Sequence, residues 1–296
     1  MSAELNIESA KAAATVGYAG RPVTKAPNWH GLVTLDILFN NLSAGLFLVA
    51  ALGELVAPAT FRPLAAVAYP IALLFLIADL VCLVLDLGDP LRFHHMLRVW
   101  KPSSPMSLGT WSLTAYALPL TLLTAVSLLP GIDWPRQIVL VVGLLPALGT
   151  AVYKGVLFST TAQPGWSHAR WLGGYFANSA LLLGAVELLL LAMWMGQPTA
   201  AAVLRLASML LLILNAVALA LLLGELRGPL SQARGIRGFT VIGAVVLAGI
   251  IVPLVLLALG GPLAKVGAAL LILLGAVVIR SEIVRLPHLL TQARAR

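Results

Sequence analysis

Charge is scarce in this sequence. Only 10% of its 296 residues are Asp, Glu, Lys or Arg, whereas 60% are hydrophobic, and the mean hydropathy is +0.99. Soluble domains carry charge on about a quarter of their residues. The scarcity excludes a soluble globular protein and indicates a polytopic membrane protein. Since hydrocarbon offers the backbone no hydrogen bonds, the long apolar runs predict transmembrane helices and not a barrel.

Cysteine and histidine are scarce as well. The single cysteine, Cys82, excludes an internal disulfide and an iron–sulfur cluster ligated by this chain alone, which takes several thiolates. A haem in the bundle would need imidazoles facing each other from helix interiors, so no haem is expected. The adjacent pair His94 and His95 lacks a third ligand, so no metal site is predicted. All five histidines fall at predicted helix ends or in loops: His30, His94, His95, His168 and His288.

What the sequence does contain is eight apolar runs, each long enough to cross a bilayer, which takes about 20 residues. They are Leu32–Val56, Leu64–Leu85, Leu108–Leu129, Ile138–Phe158, Trp171–Met195, Ala201–Leu223, Phe239–Leu259 and Leu263–Val284. The predicted fold is an all-α membrane protein of eight transmembrane helices, arranged as two four-helix bundles. Residues 1–31 lack the pattern of a signal peptide and are predicted as an extramembrane arm. The membrane domain is predicted over 32–285, and a tail over 286–296.

Basic residues give the predicted orientation, because Lys and Arg concentrate in cytoplasmic loops. Fifteen fall on the side of both termini: Lys11, Arg21, Lys25, Arg92, Arg98, Lys101, Lys154, Arg170, Arg227, Arg234, Arg237, Arg280, Arg285, Arg294 and Arg296. The other side has Arg62, Arg136, Arg205 and Lys265. Both termini are therefore predicted in the cytoplasm, in a bacterial inner membrane, and the net charge of +8 needs no nucleic-acid partner to explain it.

The segment "DLGDPLRFHHMLRVWKPSSPMSLGTW", from Asp86 to Trp111, gathers much of the charge. Asp79 and Asp86 are seven residues apart, which places them on one face of the second predicted helix. Such carboxyl groups in a membrane normally face a polar cavity or a partner. Gly88 and Pro90 end that helix. The two-proline turn that follows predicts a rigid entry into the third helix.

This segment resembles the signature of the NrfD/PsrC family, the membrane subunits of polysulfide-reductase-type molybdoenzymes. In that family the second helix ends in Asp-Leu-Gly-Arg-Pro and the loop ends in Ser-Pro-Met-Ser-x-Gly. "LFNNLSAGLFLVAAL" in the first helix and "VYKGVLFS" at the end of the fourth are similar to family segments as well. Asp89 stands where the family usually has arginine.

The resemblance implies a quinone, menaquinone or ubiquinone, held near one membrane face. It also implies two partners, a ferredoxin-like subunit with four iron–sulfur clusters and a molybdopterin catalytic subunit, in anaerobic respiration with sulfur or related compounds. Helix direction lets several polar residues meet on one face, and the predicted quinone contacts are Asp36, Asn40, Asn41, Asp86, Arg92 and Tyr153. Arg92, Arg98 and Lys101 are predicted to face the iron–sulfur partner.

Individual roles have alternatives. Asp86 is predicted as a proton acceptor or an anchor for Arg92. Tyr153 matches the family's hydroxyl donor to the quinone, but a tyrosine at this depth also fits the interfacial aromatic belt. Asp36 lies near the family's polar quinone contact, or it makes a structural hydrogen bond to a neighbouring helix. Lys154 could instead extend to the surface.

Other buried polar residues suggest a proton path, with Asp79, Glu187, Asn215 and Glu225 as candidates. "LLLGELRGPLS" at the end of the sixth helix echoes "LVLDLGDPLRF", which suggests a repeat of 32–160 in 171–285, with Glu225 in the place of Asp86. Two other functions remain open. A secondary transporter predicts interrupted helices with polar groups at mid-depth, and a purely structural anchor predicts a degenerate site.

Overall fold

The structure, a computed structural model, describes residue 29 and residues 31–129, 135–234 and 242–294. Some predictions fall outside these ranges, including nearly all of the arm 1–31, the last residues of the tail 286–296, and Lys11, Arg21, Lys25, His30, Arg237 and Arg296. The side chains of Arg234 and Arg294 lie outside them too.

Eight helices among the described residues are long and apolar enough to cross a membrane, which confirms the predicted fold class. They are α1 Gly31–Val56, α2 Pro58–Leu85, α3 Pro105–Leu128, α4 Arg136–Ser159, α5 Leu172–Trp194, α6 Pro198–Arg234, α7 Ile242–Leu259 and α8 Pro262–Arg294. Short 3₁₀ helices cover Pro90–Leu97 and Trp166–His168. The described ranges contain no strand.

The eight helices form two four-helix bundles. Each of α1 to α4 packs against the next, and α4 closes the ring against α1; α5 to α8 form a second ring in the same way. The main contact between the bundles joins α1 to α5. It is close because Gly45 and Gly184 face it: a Cβ on Gly45 would lie 1.9 Å from the carbonyl oxygen of Ala180. Small residues let membrane helices approach to this distance.

Helix α6 continues past the point where the sequence predicts its end. It passes through Gly228 and Pro229 to Arg234, whereas α2 ends at Leu85, within the similar stretch. The residues before the shared proline differ: α6 has Glu225 and Arg227, which are good helix formers, where α2 is followed by Asp86 and Gly88, which are not. The second helix therefore ends differently in the two parts of the suggested repeat.

The connection between α2 and α3 is held by its own hydrogen bonds. Ser104 Oγ caps α3 by accepting from the main-chain N–H of Ser107 (3.4 Å). Ser107 Oγ accepts from the N–H of Lys101 (3.0 Å) and donates to the carbonyl of Val99 (3.1 Å). Trp100 packs edge-on against Trp111, with ring centroids 5.7 Å apart. These contacts agree with the predicted rigid turn.

Candidate functional site

An open cavity of about 820 Å³ lies in the first bundle, at the end where α1 begins and α2 and α4 end. Its polar lining residues are Asp36, Asp86, Thr110, Tyr153 and Lys154, and the remaining walls are largely apolar. Three residues predicted to contact one ligand, Asp36, Asp86 and Tyr153, thus line one cavity. Asn40, Asn41 and Arg92 do not line it.

Tyr153 is positioned by the motif that begins α3. A Cβ on Gly109 would lie 2.0 Å from Cδ2 of Tyr153, so only glycine leaves room for the ring at this point. Gly109 is the glycine of the stretch Ser-Pro-Met-Ser-Leu-Gly. The motif therefore does more than turn the chain, because it seats the tyrosine of α4 against α3.

Beneath the cavity is a buried ion-pair network of Asp36, Asp79 and Lys154. Lys154 Nζ lies 2.7 Å from Asp36 Oδ1 and 2.7 Å from Asp79 Oδ1. It also donates to the main-chain carbonyl of Asp36 (3.1 Å), and Asn40 Nδ2 donates to Asp79 Oδ2 (3.1 Å). Asp79 is fully buried and Lys154 is 3% exposed. Charges at such a depth persist only when they are paired.

Two expectations about basic residues are corrected by this geometry. Lys154 does not extend to the surface, because the two carboxyl groups hold its ammonium inside the bundle. Arg280, counted above with the basic residues of one membrane side, is fully buried between the bundles. Neither residue therefore bears on the orientation of the chain in the membrane. Without them, thirteen basic residues remain on the side of the termini, against four on the other side.

Deeper in the first bundle, α1 makes further polar contacts with its neighbours. Asn41 Nδ2 donates to the carbonyl of Ala151 (3.2 Å), and Asn41 Oδ1 accepts from Arg280 Nη2 (2.5 Å). Ser43 Oγ donates to the carbonyl of Ala72 (2.7 Å) and lies 2.9 Å from the hydroxyl of Tyr116. Asn40 and Asn41 thus hold helices together beneath the cavity.

At the opposite end of the same bundle, Glu54 forms a second buried ion pair. Its carboxylate pairs with the guanidinium of Arg136 and accepts from the hydroxyl of Tyr69 (2.8 Å). Arg136 also lies over the ring of Tyr69, 5.6 Å from its centroid. One carboxylate here pairs with one guanidinium, so the pair has no net charge.

Three aromatic rings form a wall beside the cavity. Trp29 and Phe158 line it, with centroids 5.6 Å apart, and Trp166 stacks on both, at 5.4 and 4.3 Å. Trp166 Nε1 donates to the carbonyl of Ile283, which ties the wall to α8. None of these rings was predicted as a site residue.

The basic side chains of the loop Pro90–Lys101 lie outside the cavity. Arg92, Arg98 and Lys101 are exposed, as a docking role would require. Arg92 Nε pairs with Asp89 Oδ2 at 2.9 Å, so the residue that departs from the family signature provides a partner for this arginine. The rings of His94 and His95 pack against each other at 4.5 Å in an exposed position. No group of metal-ligating residues is found within the described ranges.

The predicted proton-path residues do not form one continuous chain. Asp79 belongs to the ion-pair network, while Glu187 is on α5, with one carboxyl oxygen buried and lacking a hydrogen-bond partner among the described residues. Asn215 accepts from Asn178 Nδ2 (3.3 Å) inside the second bundle. Glu225 accepts from the main-chain N–H of Trp171 (2.9 Å), just before α5. Their role in proton transfer stays a prediction.

Three features of the site were missed at the level of sequence: Lys154 between two acids, the aromatic wall, and Arg280. An arginine inside the apolar run Leu263–Val284 was a usable signal, since charge within a membrane span is functional by default. The pairing of Lys154 with Asp79 had no local signal, because 75 residues separate them.

Fold and site together define a multi-pass membrane protein with a charged network beneath an open cavity in one of its two bundles. A family model described as polysulfide reductase, of the NrfD type, matches residues 16–288. The chain therefore belongs to the NrfD-type polysulfide reductase family, and it is a membrane subunit of an oxidoreductase complex. A search of curated proteins gave no match.

Proposed function

We propose that this chain is the quinone-binding membrane subunit of a multisubunit molybdopterin and iron–sulfur oxidoreductase. It would exchange electrons between the membrane quinone pool and an iron–sulfur partner subunit. The observation that carries the proposal is the cavity in which Asp36, Asp86 and Tyr153 converge above the Lys154 ion pairs. Membership of an oxidoreductase membrane family supports it.

The residues present fit a quinone, either menaquinone or ubiquinone. A quinone ring needs an apolar slot with hydrogen-bonding groups at its two oxygens. Tyr153 supplies a hydroxyl donor on the cavity wall, while Trp29 and Phe158 offer flat faces for ring stacking. The quinone supplies two-electron, two-proton redox chemistry when it is bound.

Proton handling falls to the carboxyl groups. Asp86 is half-buried at the cavity rim, so it is proposed to pass protons between the cavity and the outside. Asp36 is proposed to take the same role at the inner wall, where it pairs with Lys154. Tyr153 holds the proton at the bound oxygen.

The partner is proposed to dock on the loop Pro90–Lys101. This loop borders the cavity, since Gly88, just before the loop, and Met96, within it, both line the cavity. Its exposed Arg92, Arg98 and Lys101 suit an acidic surface on a ferredoxin-like subunit, which in turn serves a molybdopterin subunit. Replacing the three with glutamine is expected to make the complex dissociate at lower salt.

Localisation follows from the same reasoning. We propose a bacterial inner membrane with both termini in the cytoplasm, on the basis of the remaining basic residues. A reporter fused after Arg296 tests the orientation. Activity of a periplasmic reporter at that position would reverse it.

The decisive experiment replaces Tyr153 and Asp86 separately, as Tyr153→Phe and Asp86→Asn, in the assembled complex. Each is expected to lower quinone-dependent turnover by about 100- to 10,000-fold, because each removes a proton-transfer group. The matched controls are Tyr69→Phe, at the opposite end of the bundle, and Asp89→Asn, on the exposed loop. Turnover unchanged in both site variants would leave a structural anchor as the better account.

Helix continuity favours the proposed redox subunit over a secondary transporter. The transporter alternative predicts broken helices at the binding site. The four helices that line the cavity are each continuous α-helices over their described lengths. The polar residues that line the cavity also gather at one bundle end, where a partner can reach them.

A further inference from the structure

Arg280 is buried between the two bundles and surrounded by neutral groups. It is 0% exposed, and Nη2 donates to Asn41 Oδ1 (2.5 Å) and Ser179 Oγ (3.1 Å), while Nη1 donates to the carbonyl of Ala276 (3.1 Å). Its guanidinium lies 5.4 Å from the ring centroid of Phe176. Among the described residues no carboxylate forms a salt bridge with it, and Nε has no hydrogen-bond partner.

An arginine remains charged in a protein, so this site holds a full positive charge inside the membrane. Neutral hydrogen bonds and an aromatic face offset only part of the cost of burial. A negative charge near the seam between the two bundles is needed to offset the remaining cost of burial.

The first bundle offers a source for this charge. Its network contains two carboxyl groups, Asp36 and Asp79, but one ammonium, Lys154. The network therefore has one acid more than it has bases. The other buried acid of that bundle, Glu54, is already balanced by Arg136.

Two consecutive residues of α1 connect the unbalanced groups. Asn40 donates to Asp79, and the next residue, Asn41, accepts from Arg280. Asn41 also donates to the carbonyl of Ala151, one turn before Lys154 on α4. The surplus acid and the unpaired arginine are thus attached to neighbouring positions of one helix, in a medium that screens charge weakly.

We propose that Arg280 of the second bundle is the counter-charge of the Asp36–Asp79–Lys154 network in the first, acting across the seam through Asn40 and Asn41. Arg280 is a positioning residue: it touches no cavity atom, and it holds the bundles in register while keeping the network electrically neutral. The proposal is independent of the ligand that the cavity takes.

A double-mutant cycle on the full chain in detergent tests this, with the thermal unfolding midpoint as the readout. Arg280→Met alone and Asp79→Asn alone are each expected to lower the midpoint, by roughly 5–10 °C, because each leaves a buried charge uncompensated. The double variant removes one charge of each sign. It is expected to lose less than the two single losses added together, and no more than the larger of them.

The matched control combines Arg280→Met with Glu54→Gln, since Glu54 has its own base. This pair is expected to be additive, and Arg280→Lys, which keeps the charge, is expected to keep most of the stability. Should Arg280→Met fail to accumulate, the comparison becomes the amount of folded protein: recovery on adding Asp79→Asn supports the proposal. Additive losses with Asp79→Asn, no recovery, or equal recovery with Glu54→Gln would each overturn it.

Discussion

The two bundles share a helix order but differ in what they bury. The first buries two acids and a lysine beneath a cavity with polar lining. The second has a cavity of about 620 Å³ at the corresponding ends of α6 and α8, lined by aliphatic side chains and Glu282. Its polar residues lie deeper: Asn178, Asn215 and Arg280 make neutral hydrogen bonds, and Glu187 has a buried carboxyl oxygen without a partner among the described residues.

This difference supports the proposal that only one half of the architecture carries a redox site. Charged groups in a membrane are costly, so they are kept where chemistry uses them. The second bundle instead contributes packing along α5 and, by our inference, one charge. Three of the four predictions below compare a residue of the first bundle with a residue of the second.

The largest effect is expected for Lys154→Met, which leaves two buried carboxyl groups without their base. The loss in unfolding free energy is expected to be about 3–5 kcal/mol, as for other broken buried pairs. Thermal unfolding in detergent measures it. Lys154→Arg keeps the charge and should recover part of the loss; if methionine and arginine destabilise equally, the network is not held by charge.

Gly109→Ala comes next, because its Cβ would overlap the Tyr153 ring. The clash is expected to cost about 1–3 kcal/mol and to lower quinone-dependent turnover as Tyr153 moves. Gly224→Ala on α6, where a Cβ would meet no atom within 4 Å, is the matched control. It should leave turnover unchanged, and equal effects of the two changes would contradict the role of Gly109.

Filling each cavity compares the bundles directly. Leu157→Trp fills the first cavity and is expected to lower quinone-dependent turnover about 10-fold, or about 1.4 kcal/mol in the barrier. Leu222→Trp fills the second and should leave turnover unchanged. Steady-state assays of the assembled complex measure both. A larger loss from Leu222→Trp would move the proposed quinone site to the second bundle.

The smallest effect is expected for Glu225→Gln, at the position that the suggested repeat compares with Asp86. Glu225 accepts from the N–H of Trp171 beside the start of α5, so exchanging this charged acceptor for the neutral amide oxygen of glutamine should cost about 0.5–1 kcal/mol of stability. Turnover should stay at the wild-type level, in contrast to Asp86→Asn. A loss of turnover comparable to that of Asp86→Asn would restore Glu225 to the proton path.

Much of the site could be predicted because its signals are local. Asp86 and Tyr153 lie in short motifs at helix ends, and helix direction alone brings those ends to one membrane face. The partners of Lys154 could not be predicted, since a lysine near a helix end is compatible both with extension to the surface and with burial in an ion pair. Packing against α1 and α2 decides between them.

By itself the sequence determined the number and approximate span of the helices, since hydropathy over some 20 residues reports directly on membrane insertion. It also predicts that this chain alone ligates no iron–sulfur cluster, because such a cluster takes several cysteines and the chain has one. Only the tertiary structure decided which buried charges meet. Asp36 and Lys154 are 118 residues apart, and Asn41 and Arg280 are 239 apart. Their pairing depends on how closely helices approach, which glycines such as Gly45 permit and hydropathy does not encode.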